Sequence, residues 1–159
     1  GEVNKYQWVD IGSSILPSEI TAAFLYAQLE HLKEISATRH QLWDTYFSEL
    51  TTLQTAGKLR LPRIPEYAQH NAHIFYIATN NPDERSNLTK HLAVKGVMAI
   101  FHYQPLHSSK FWQPRYTGGE LKNTDNFANT LLRLPLYYSL SVNEVRMICD
   151  AIKTFYNGR

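Results

Sequence analysis

The feature that most constrains the fold is a long run of helical sequence near the start of the chain. Ser18 is a favourable N-cap, and the residues that follow it, 20–29, are strong helix formers with only two clearly polar members. Residues 18–56 are predicted to form one very long helix or two helices in series, because apolar residues recur at four- and seven-residue spacings until Gly57. These apolar residues are Ile35, Leu42, Tyr46, Leu50 and Leu53.

The first part of that run is too apolar to stand alone. Its polar residues, Thr21 and Gln28, are seven positions apart and share one face, which leaves the other faces almost entirely apolar. Such a helix on the surface of a small isolated domain would expose a large apolar patch. We therefore expect a partner surface to cover residues 20–29.

The rest of the chain predicts an α+β arrangement. Alternating apolar residues indicate strands, and a proline at the start and a glycine at the end indicate a helix. In chain order the predicted elements are a strand, a helix, a strand, a short helix and a short edge strand. These elements cover residues 72–79, 81–96, 97–103, 124–131 and 132–136. With the long leading helix, this order predicts a small, mixed or mostly antiparallel sheet with helices laid on one face.

The last helix has the clearest local signature. Ser141 and Glu144 are predicted to form a capping box at its start, and one continuous apolar stripe follows. The stripe consists of Val145, Ile148, Cys149, Ile152, Phe155 and Tyr156. Cys149 is therefore interpreted as a core residue, in preference to a reactive nucleophile.

Length and composition narrow the class of protein. The 159 residues suit one well-packed domain, and the net charge of +2 arises from scattered basic and acidic residues. Nucleic-acid binding is not expected, and no apolar run is long enough for a membrane span. A single cysteine excludes an internal disulfide and fits a reducing cytoplasm. Because the chain opens at Gly1 without an initiator methionine or a signal segment, we expect it to be a piece of a longer protein.

Residues 100–107 combine an apolar strand with two histidines, a tyrosine and a proline. Strand alternation places His102 on the face opposite Phe101, and Pro105 stops the ladder because it has no N–H to donate. His107 then lies in a loop, where its ring is free to meet a ligand. The alternative, which is the commoner role of such pairs, is that both histidines are hydrogen-bonded structural residues. A metal site is not predicted, because no third ligand is apparent.

Five ordered blocks, which together span essentially the whole chain, resemble the carboxy-terminal part of the sugar aminotransferases of the DegT/DnrJ/EryC1/StrS family. The blocks are residues 5–14, 16–23, 71–77, 101–107 and 132–136. The patterns Lys-Tyr-x-Trp-x-Asp-Ile-Gly-Ser-Ser and His-Tyr-x-Pro-Leu-His are most similar to the dTDP-4-amino-4,6-dideoxygalactose transaminase branch. The resemblance implies that residues 1–17 are a lead-in from a missing larger domain. Residues 18–159 would then be the carboxy-terminal small domain of an aspartate-aminotransferase fold, with its long connecting helix.

The resemblance further implies an enzyme that depends on pyridoxal 5′-phosphate (PLP). It would transfer an amino group from glutamate to a dTDP-4-keto-6-deoxyhexose, as a cytoplasmic homodimer with active sites at the subunit interface, in the biosynthesis of lipopolysaccharide or another cell-surface polysaccharide. In such enzymes the lysine that bonds the cofactor belongs to the larger amino-terminal domain. No catalytic residue is therefore expected in this chain, which alone would be inactive, and Lys5 is not given that role because it lies in a polar terminal segment.

The resemblance also implies binding residues. Family members commonly carry Gly-x-Asn-x-Arg ahead of the first helix, and the Asn donates to the cofactor phosphate; here Ser14 stands at the Asn position and the Arg is absent. Ser13 and Ser14 are candidate cofactor-binding residues, and the alternative is that they satisfy the turn before the helix. His102, Tyr103 and His107 match the family's substrate-side loop, where they would position the sugar or its diphosphate.

Two other functions stay open at the level of the sequence. The chain could be a non-enzymatic binding or oligomerisation module that uses the apolar face of residues 20–29. The third hypothesis is metal-assisted hydrolysis by the histidines, which the sequence favours less than the aminotransferase or the module. The DNA upstream of the chain would separate the aminotransferase from the module. The aminotransferase requires an upstream reading frame that encodes a larger domain with a lysine, and the module does not.

Overall fold

The described residues form five helices and two short strands. The structure, a computed structural model, describes residues 10, 12 and 16–158. In chain order the elements are α1 (Glu19–Glu30), α2 (Leu32–Thr55), β1 (Phe75–Ala78), α3 (Pro82–Val94), α4 (Lys122–Thr130), β2 (Leu131–Leu134) and α5 (Val142–Asn157).

α1 and α2 follow one another almost without a break. Ser18 caps α1, because its side chain accepts a hydrogen bond of 3.4 Å from the backbone N–H of Thr21. His31 alone separates the two helices. Gly57 follows the end of α2 with a φ of +67°, in the left-handed region that glycine adopts without a steric penalty. The prediction for residues 18–56 is confirmed in its second form, two helices in series.

The sheet is a short antiparallel pair extended by one bridge on each side. Phe75 on β1 lies opposite Leu134 on β2. The chain at Arg60 makes a single bridge to the outer edge of β1, and the chain at Ile100 makes a single bridge to the outer edge of β2. All of these pairings are antiparallel. The predicted fold class, α+β with a small antiparallel sheet, is confirmed.

Two of the predicted strands are shorter than expected. Of residues 97–103 only Ile100 pairs with β2, so that prediction is wrong for most of its length. Of residues 72–79 only the later part forms β1. Ala72 has a φ of +49°, which is a left-handed conformation and not the extended one that a strand needs.

The ladder on the outer edge of β2 stops after one pair because of the residues on either side. Ile100 and Arg133 exchange two backbone hydrogen bonds of 3.1 and 2.7 Å. An antiparallel ladder would continue two residues from Arg133 in each direction, at Leu131 and at Pro135, which follows β2. The N–H of Leu131 is bonded to the carbonyl of Phe127 in the last turn of α4, and Pro135 has no N–H. Neither residue can donate to a neighbouring strand, so neither can form the two reciprocal hydrogen bonds of a ladder pair.

The core lies where α2, α5 and the sheet meet. The apolar stripe predicted for α5 is buried except for Phe155, which is half-buried, and the capping box of Ser141 and Glu144 is present. Cys149 is fully buried, which confirms its assignment to the core. Trp43 is a core residue that the apolar periodicity of α2 did not predict. The buried residues of α2 are Leu42, Trp43, Tyr46, Leu50 and Leu53.

Tyr46 ties α2 to the end of β2. Its side chain is fully buried, and its hydroxyl donates a hydrogen bond of 2.9 Å to the backbone carbonyl of Pro135. Burial raises the pKa of the Tyr46 phenol far above its ordinary value, so the hydroxyl keeps its proton and remains a donor. The ring also stacks on Phe75 of β1, with the ring centres 4.9 Å apart.

Replacing Tyr46 by Phe should isolate the contribution of this hydrogen bond. We expect Tyr46→Phe to lower the free energy of unfolding by ~1 kcal/mol in urea denaturation, because the carbonyl of Pro135 loses its donor while the ring is kept. Tyr67→Phe is the matched control and should leave stability unchanged, since Tyr67 is 92% exposed. Equal stability of Tyr46→Phe and the wild type would contradict the assignment.

α1 is left uncovered by its own chain. None of its residues is buried. Its large apolar side chains are between 52 and 73% exposed, and they are Ile20, Phe24, Leu25, Tyr26 and Leu29. At about 25 cal/mol per Å² of apolar area, leaving these side chains in water costs several kcal/mol. That a partner surface covers them stays a prediction.

We expect the 159-residue chain to self-associate through α1. The double variant Phe24→Ser, Leu25→Ser should shift sedimentation equilibrium toward the monomer, because it removes apolar area from the exposed face. Val94→Ser on α3 is the control, since Val94 is 90% exposed outside α1. A wild-type chain that is strictly monomeric at high concentration would count against the expectation.

Candidate functional site

His102 and Tyr103 lie at the edge of the sheet, next to Arg133. The bridge between Ile100 and Arg133 holds this segment against β2. Nδ1 of His102 lies 3.2 Å from a terminal guanidinium nitrogen of Arg133. The rings of His102 and Tyr103 have their centres 3.8 Å apart, with 32° between their planes. The structure therefore brings two of the three predicted substrate-side residues together, beside a cation.

The surroundings of His102 disfavour a charge on its ring. Burial lowers the pKa of His102 below its ordinary value, and the neighbouring Arg133 and His73 lower it further. Because the ordinary pKa of histidine already lies below 7, at about 6.5, the ring is neutral at neutral pH.

His107 lies in the loop after Pro105, as predicted, but its ring is already engaged. Its Nε2 lies 3.1 Å from Oδ1 of Asp125 on α4, and its side chain is only 15% exposed. The ring of Tyr116 lies 5.5 Å away, and the Tyr116 hydroxyl donates to the carbonyl of Gly119. His107 thus links the loop to α4. In the structure it contacts partners different from those of His102.

A cleft of about 1140 Å³ opens beside the sheet edge. Its walls are mainly apolar and also carry charges of both signs, from Arg39, Lys95, Arg133, Glu144 and Asp150. None of the three predicted substrate-side residues lines this cleft. Arg133, which lines the cleft and contacts His102, is therefore the residue that links the two regions.

Neither Arg133 nor Asp125 was predicted from the sequence to be a site residue. Arg133 is part of the 132–136 block, where it was interpreted only as one residue of a strand. Asp125 lies in a helix predicted only approximately. Arg133 contacts His102 and Asp125 contacts His107. The members of each pair are distant along the chain, so both contacts depend on how β2 and α4 pack. The sequence offered one signal for each residue, its charge. Asp125 is an acidic residue in the first turn of α4, and Arg133 is a basic residue within β2.

Ser13, Ser14 and Lys5 lie outside the described residues. A lysine that bonds PLP is buried and has a lowered pKa, whereas most of the described lysines are exposed. Lys153 alone of them is half-buried, and its Nζ lies 2.7 Å from Glu49. The hydrogen bond from Lys153 to Glu49 raises the pKa of the Lys153 ammonium group, which keeps the nitrogen protonated. Lys153 is therefore unsuited to bonding PLP in this conformation.

Two other kinds of feature are absent from the described residues. These residues contain no group of three His, Cys, Asp or Glu side chains that could hold a metal ion. None of their helices is both long enough and apolar enough to cross a membrane.

Comparison with known proteins identifies a family. The sequence profile of the DegT/DnrJ/EryC1/StrS aminotransferase family matches residues 2–153. Among solved structures, DesV from S. venezuelae is 27% identical, with a TM-score of 0.78 over 86% of this chain and 36% of its own.

Two further solved structures share the fold. A DegT DnrJ EryC1 StrS aminotransferase from Brucella abortus is 24% identical, with a TM-score of 0.76 over 98% of this chain and 40% of its own. The PLP form of Spr1654 from Streptococcus pneumoniae, described as a sugar aminotransferase, is 23% identical, with a TM-score of 0.74 over 89% of this chain and 36% of its own. The chain thus spans between 36 and 40% of the length of these three proteins.

The burial of Cys149 has a direct chemical consequence. Burial raises the pKa of the Cys149 thiol to about 12, so very little thiolate is present at pH 8. We expect slow reaction with Ellman's reagent in the folded chain and rapid reaction in denaturant, with one source of signal because the chain has one cysteine. The variant Cys149→Ala with Ser108→Cys, at an exposed loop position, is the reactive control. Rapid reaction of the folded wild type would return Cys149 to the list of candidate nucleophiles.

Proposed function

The chain belongs to the DegT/DnrJ/EryC1/StrS aminotransferase family, and we propose that it is the carboxy-terminal part of a PLP-dependent aminotransferase that acts on a sugar nucleotide. The observation that carries the proposal is the match of the family profile to residues 2–153, which includes both histidines of the loop. The likeness to Spr1654, described as a sugar aminotransferase and solved with PLP, adds support for the fold.

The finer proposal concerns the two substrates. Glutamate donates the amino group, and a dTDP-4-keto-6-deoxyhexose accepts it to give dTDP-4-amino-4,6-dideoxygalactose. The sequence patterns of residues 5–14 and 102–107 support this branch of the family. The intact protein would be a cytoplasmic homodimer that supplies lipopolysaccharide or another cell-surface polysaccharide.

In this proposal the loop residues bind oxygen atoms of the substrate. A sugar nucleotide presents hydroxyl and diphosphate oxygens, which accept hydrogen bonds from imidazole and phenol groups. His102 and Tyr103 offer such groups at the sheet edge, and Asp125 holds His107 in the loop next to them in sequence. Trp112, which is 40% exposed in the same loop, adds apolar surface that helps to exclude water.

The cofactor belongs to the proposal for the whole protein. PLP, when bound, carries the amino group from the donor to the acceptor. Ser13 and Ser14 are proposed to donate to its phosphate, and the positive end of α1, which follows them in the sequence, would favour that anion. The lysine that bonds PLP would belong to the part of the protein beyond this chain. That part, or a second subunit, would also cover α1.

A second candidate is a non-enzymatic binding or oligomerisation module. The observation in its favour is the exposed apolar surface of α1, where no residue is buried. A module of this kind would associate through α1 and would need no cofactor.

The full-length protein separates the two candidates. It should be incubated with PLP, glutamate and dTDP-4-keto-6-deoxyglucose, and the amino sugar nucleotide and 2-oxoglutarate should appear in equal amounts. The 159-residue chain alone, under the same conditions, should form neither product. Association through α1 without any conversion of sugar nucleotide by the full-length protein would favour the module.

His107 should matter more for turnover than for folding. In the full-length enzyme, His107→Ala should lower kcat/KM for the sugar nucleotide about tenfold, which corresponds to the loss of one hydrogen bond of ~1.4 kcal/mol to a charged substrate. Because the pair with Asp125 is partly exposed, the free energy of unfolding should fall by less than about 1 kcal/mol. His31→Ala, at a side chain that is 70% exposed, is the control for both measurements. Wild-type turnover, or a large fall in melting temperature, would assign His107 a structural role.

A further inference from the structure

We propose that Arg133 is a positioning residue that fixes His102 in the neutral form with its proton on Nε2, so that Nε2–H is offered to an oxygen atom of the substrate. The identity of that substrate rests on the proposed function. The protonation pattern of His102 does not, because it follows from contacts within this chain.

The sheet edge places the two side chains together. Arg133 lies directly opposite Ile100, and the two residues exchange backbone hydrogen bonds of 3.1 and 2.7 Å. His102 lies two positions beyond Ile100 in the sequence, close to the diagonal position relative to Arg133. The backbone bridge therefore brings the guanidinium within 3.2 Å of Nδ1.

The chemistry of the guanidinium decides which ring nitrogen carries the proton. Arg133 has only N–H donors and keeps its charge at every physiological pH, so a hydrogen bond to His102 requires Nδ1 to accept. A neutral imidazole that accepts at Nδ1 holds its proton at Nε2. No described residue makes a hydrogen bond to that Nε2–H. The ring is half-buried and packs against Tyr103 at 3.8 Å, which limits its reorientation.

The charges around His102 favour the same state. Arg133 approaches from β2 and His73 from the segment before β1, and both oppose a positive charge on the ring. Burial opposes it as well, and the combined effect is a lowered pKa for His102. His107 has the opposite kind of partner, because its Nε2 faces the carboxylate of Asp125. The two histidines of the loop are therefore not equivalent: His102 is a neutral donor, with no role in proton transfer.

The protonation pattern can be measured in the 159-residue chain. Long-range ¹H–¹⁵N correlation spectra should show His102 at pH 7 with a protonated Nε2 and an unprotonated Nδ1. His70 is an internal reference, since its Nδ1 accepts from the backbone N–H of Ala72 at 3.3 Å and it should show the same tautomer. A wild-type His102 that is protonated on Nδ1, or on both nitrogens, at pH 7 would overturn the proposal whatever the variants do.

Variants then test whether Arg133 is the cause. Arg133→Met should turn the His102 signal into a mixture of tautomers and raise its protonation midpoint, while His70 is unchanged. Arg60→Met is the matched control, because Arg60 makes the equivalent single bridge at the other edge of the sheet. An unaltered His102 tautomer in a folded Arg133→Met chain would overturn the proposal.

Kinetics of the full-length enzyme test the role toward the substrate. Arg133→Met and His102→Ala should each lower kcat/KM for the sugar nucleotide about tenfold, and the double variant should be no worse than His102→Ala, because Arg133 acts through His102. The value of kcat/KM for glutamate should be unchanged in all three. Additive losses, or a loss confined to glutamate, would show that Arg133 binds a substrate directly and would overturn the positioning role. Absence of transamination in the wild type would reject the proposed function, and the spectra would still decide the protonation pattern.

Discussion

The packing of α2 against α5 is the constraint on which the rest of the structure depends. Both helices direct buried apolar side chains into one core, and Tyr46 adds a buried hydrogen bond from α2 to the carbonyl of Pro135. Because Pro135 immediately follows β2, this contact fixes the end of the strand against α2. The position of β2 then determines where Arg133 lies, and Arg133 in turn contacts His102.

The shortness of the sheet is what makes room for the loop. Among the described residues, Arg133 alone exchanges a pair of backbone hydrogen bonds on the outer edge of β2, since the N–H of Leu131 is used by α4 and Pro135 has none. After that single bridge the chain leaves the sheet, and the loop is held instead by side chains, such as the pair of His107 and Asp125. A continuous ladder would have bonded the backbone of His102 to β2. Because the pairing ends early, His102 contacts Arg133 and His107 contacts Asp125.

The exposed α1 shows that the described part of the chain does not bury all of its own apolar surface. Its large apolar side chains are more than half exposed, whereas most of the large apolar side chains of α2 and α5 are buried. The chain spans only 36 to 40% of the length of three solved proteins that it resembles. Both facts fit a domain whose binding residues and whose cofactor-bonding lysine lie on different parts of a larger protein, as the proposed function requires.

The sequence by itself determined the local features. The cap at Ser18, the capping box of Ser141 and Glu144, the turn at Gly57 and the core stripe of α5 each depend on hydrogen bonds or side-chain spacing within a few residues, and each was predicted correctly. The family was recognised from ordered blocks of residues for the same reason, since such blocks can be compared without knowing any contact.

Only the tertiary structure decided how the site is arranged. The strand predicted for residues 97–103 is reduced to one pair because Leu131 on β2 and Pro135 after it offer no free N–H, which no pattern within residues 97–103 reveals. The partners of His102 and His107 are a cation and a carboxylate brought in by β2 and α4, and these opposite charges make two similar residues chemically different. Residue type and spacing could identify the histidines as candidates, but the protonation of His102 depends on the burial and the charges that the packing places beside it.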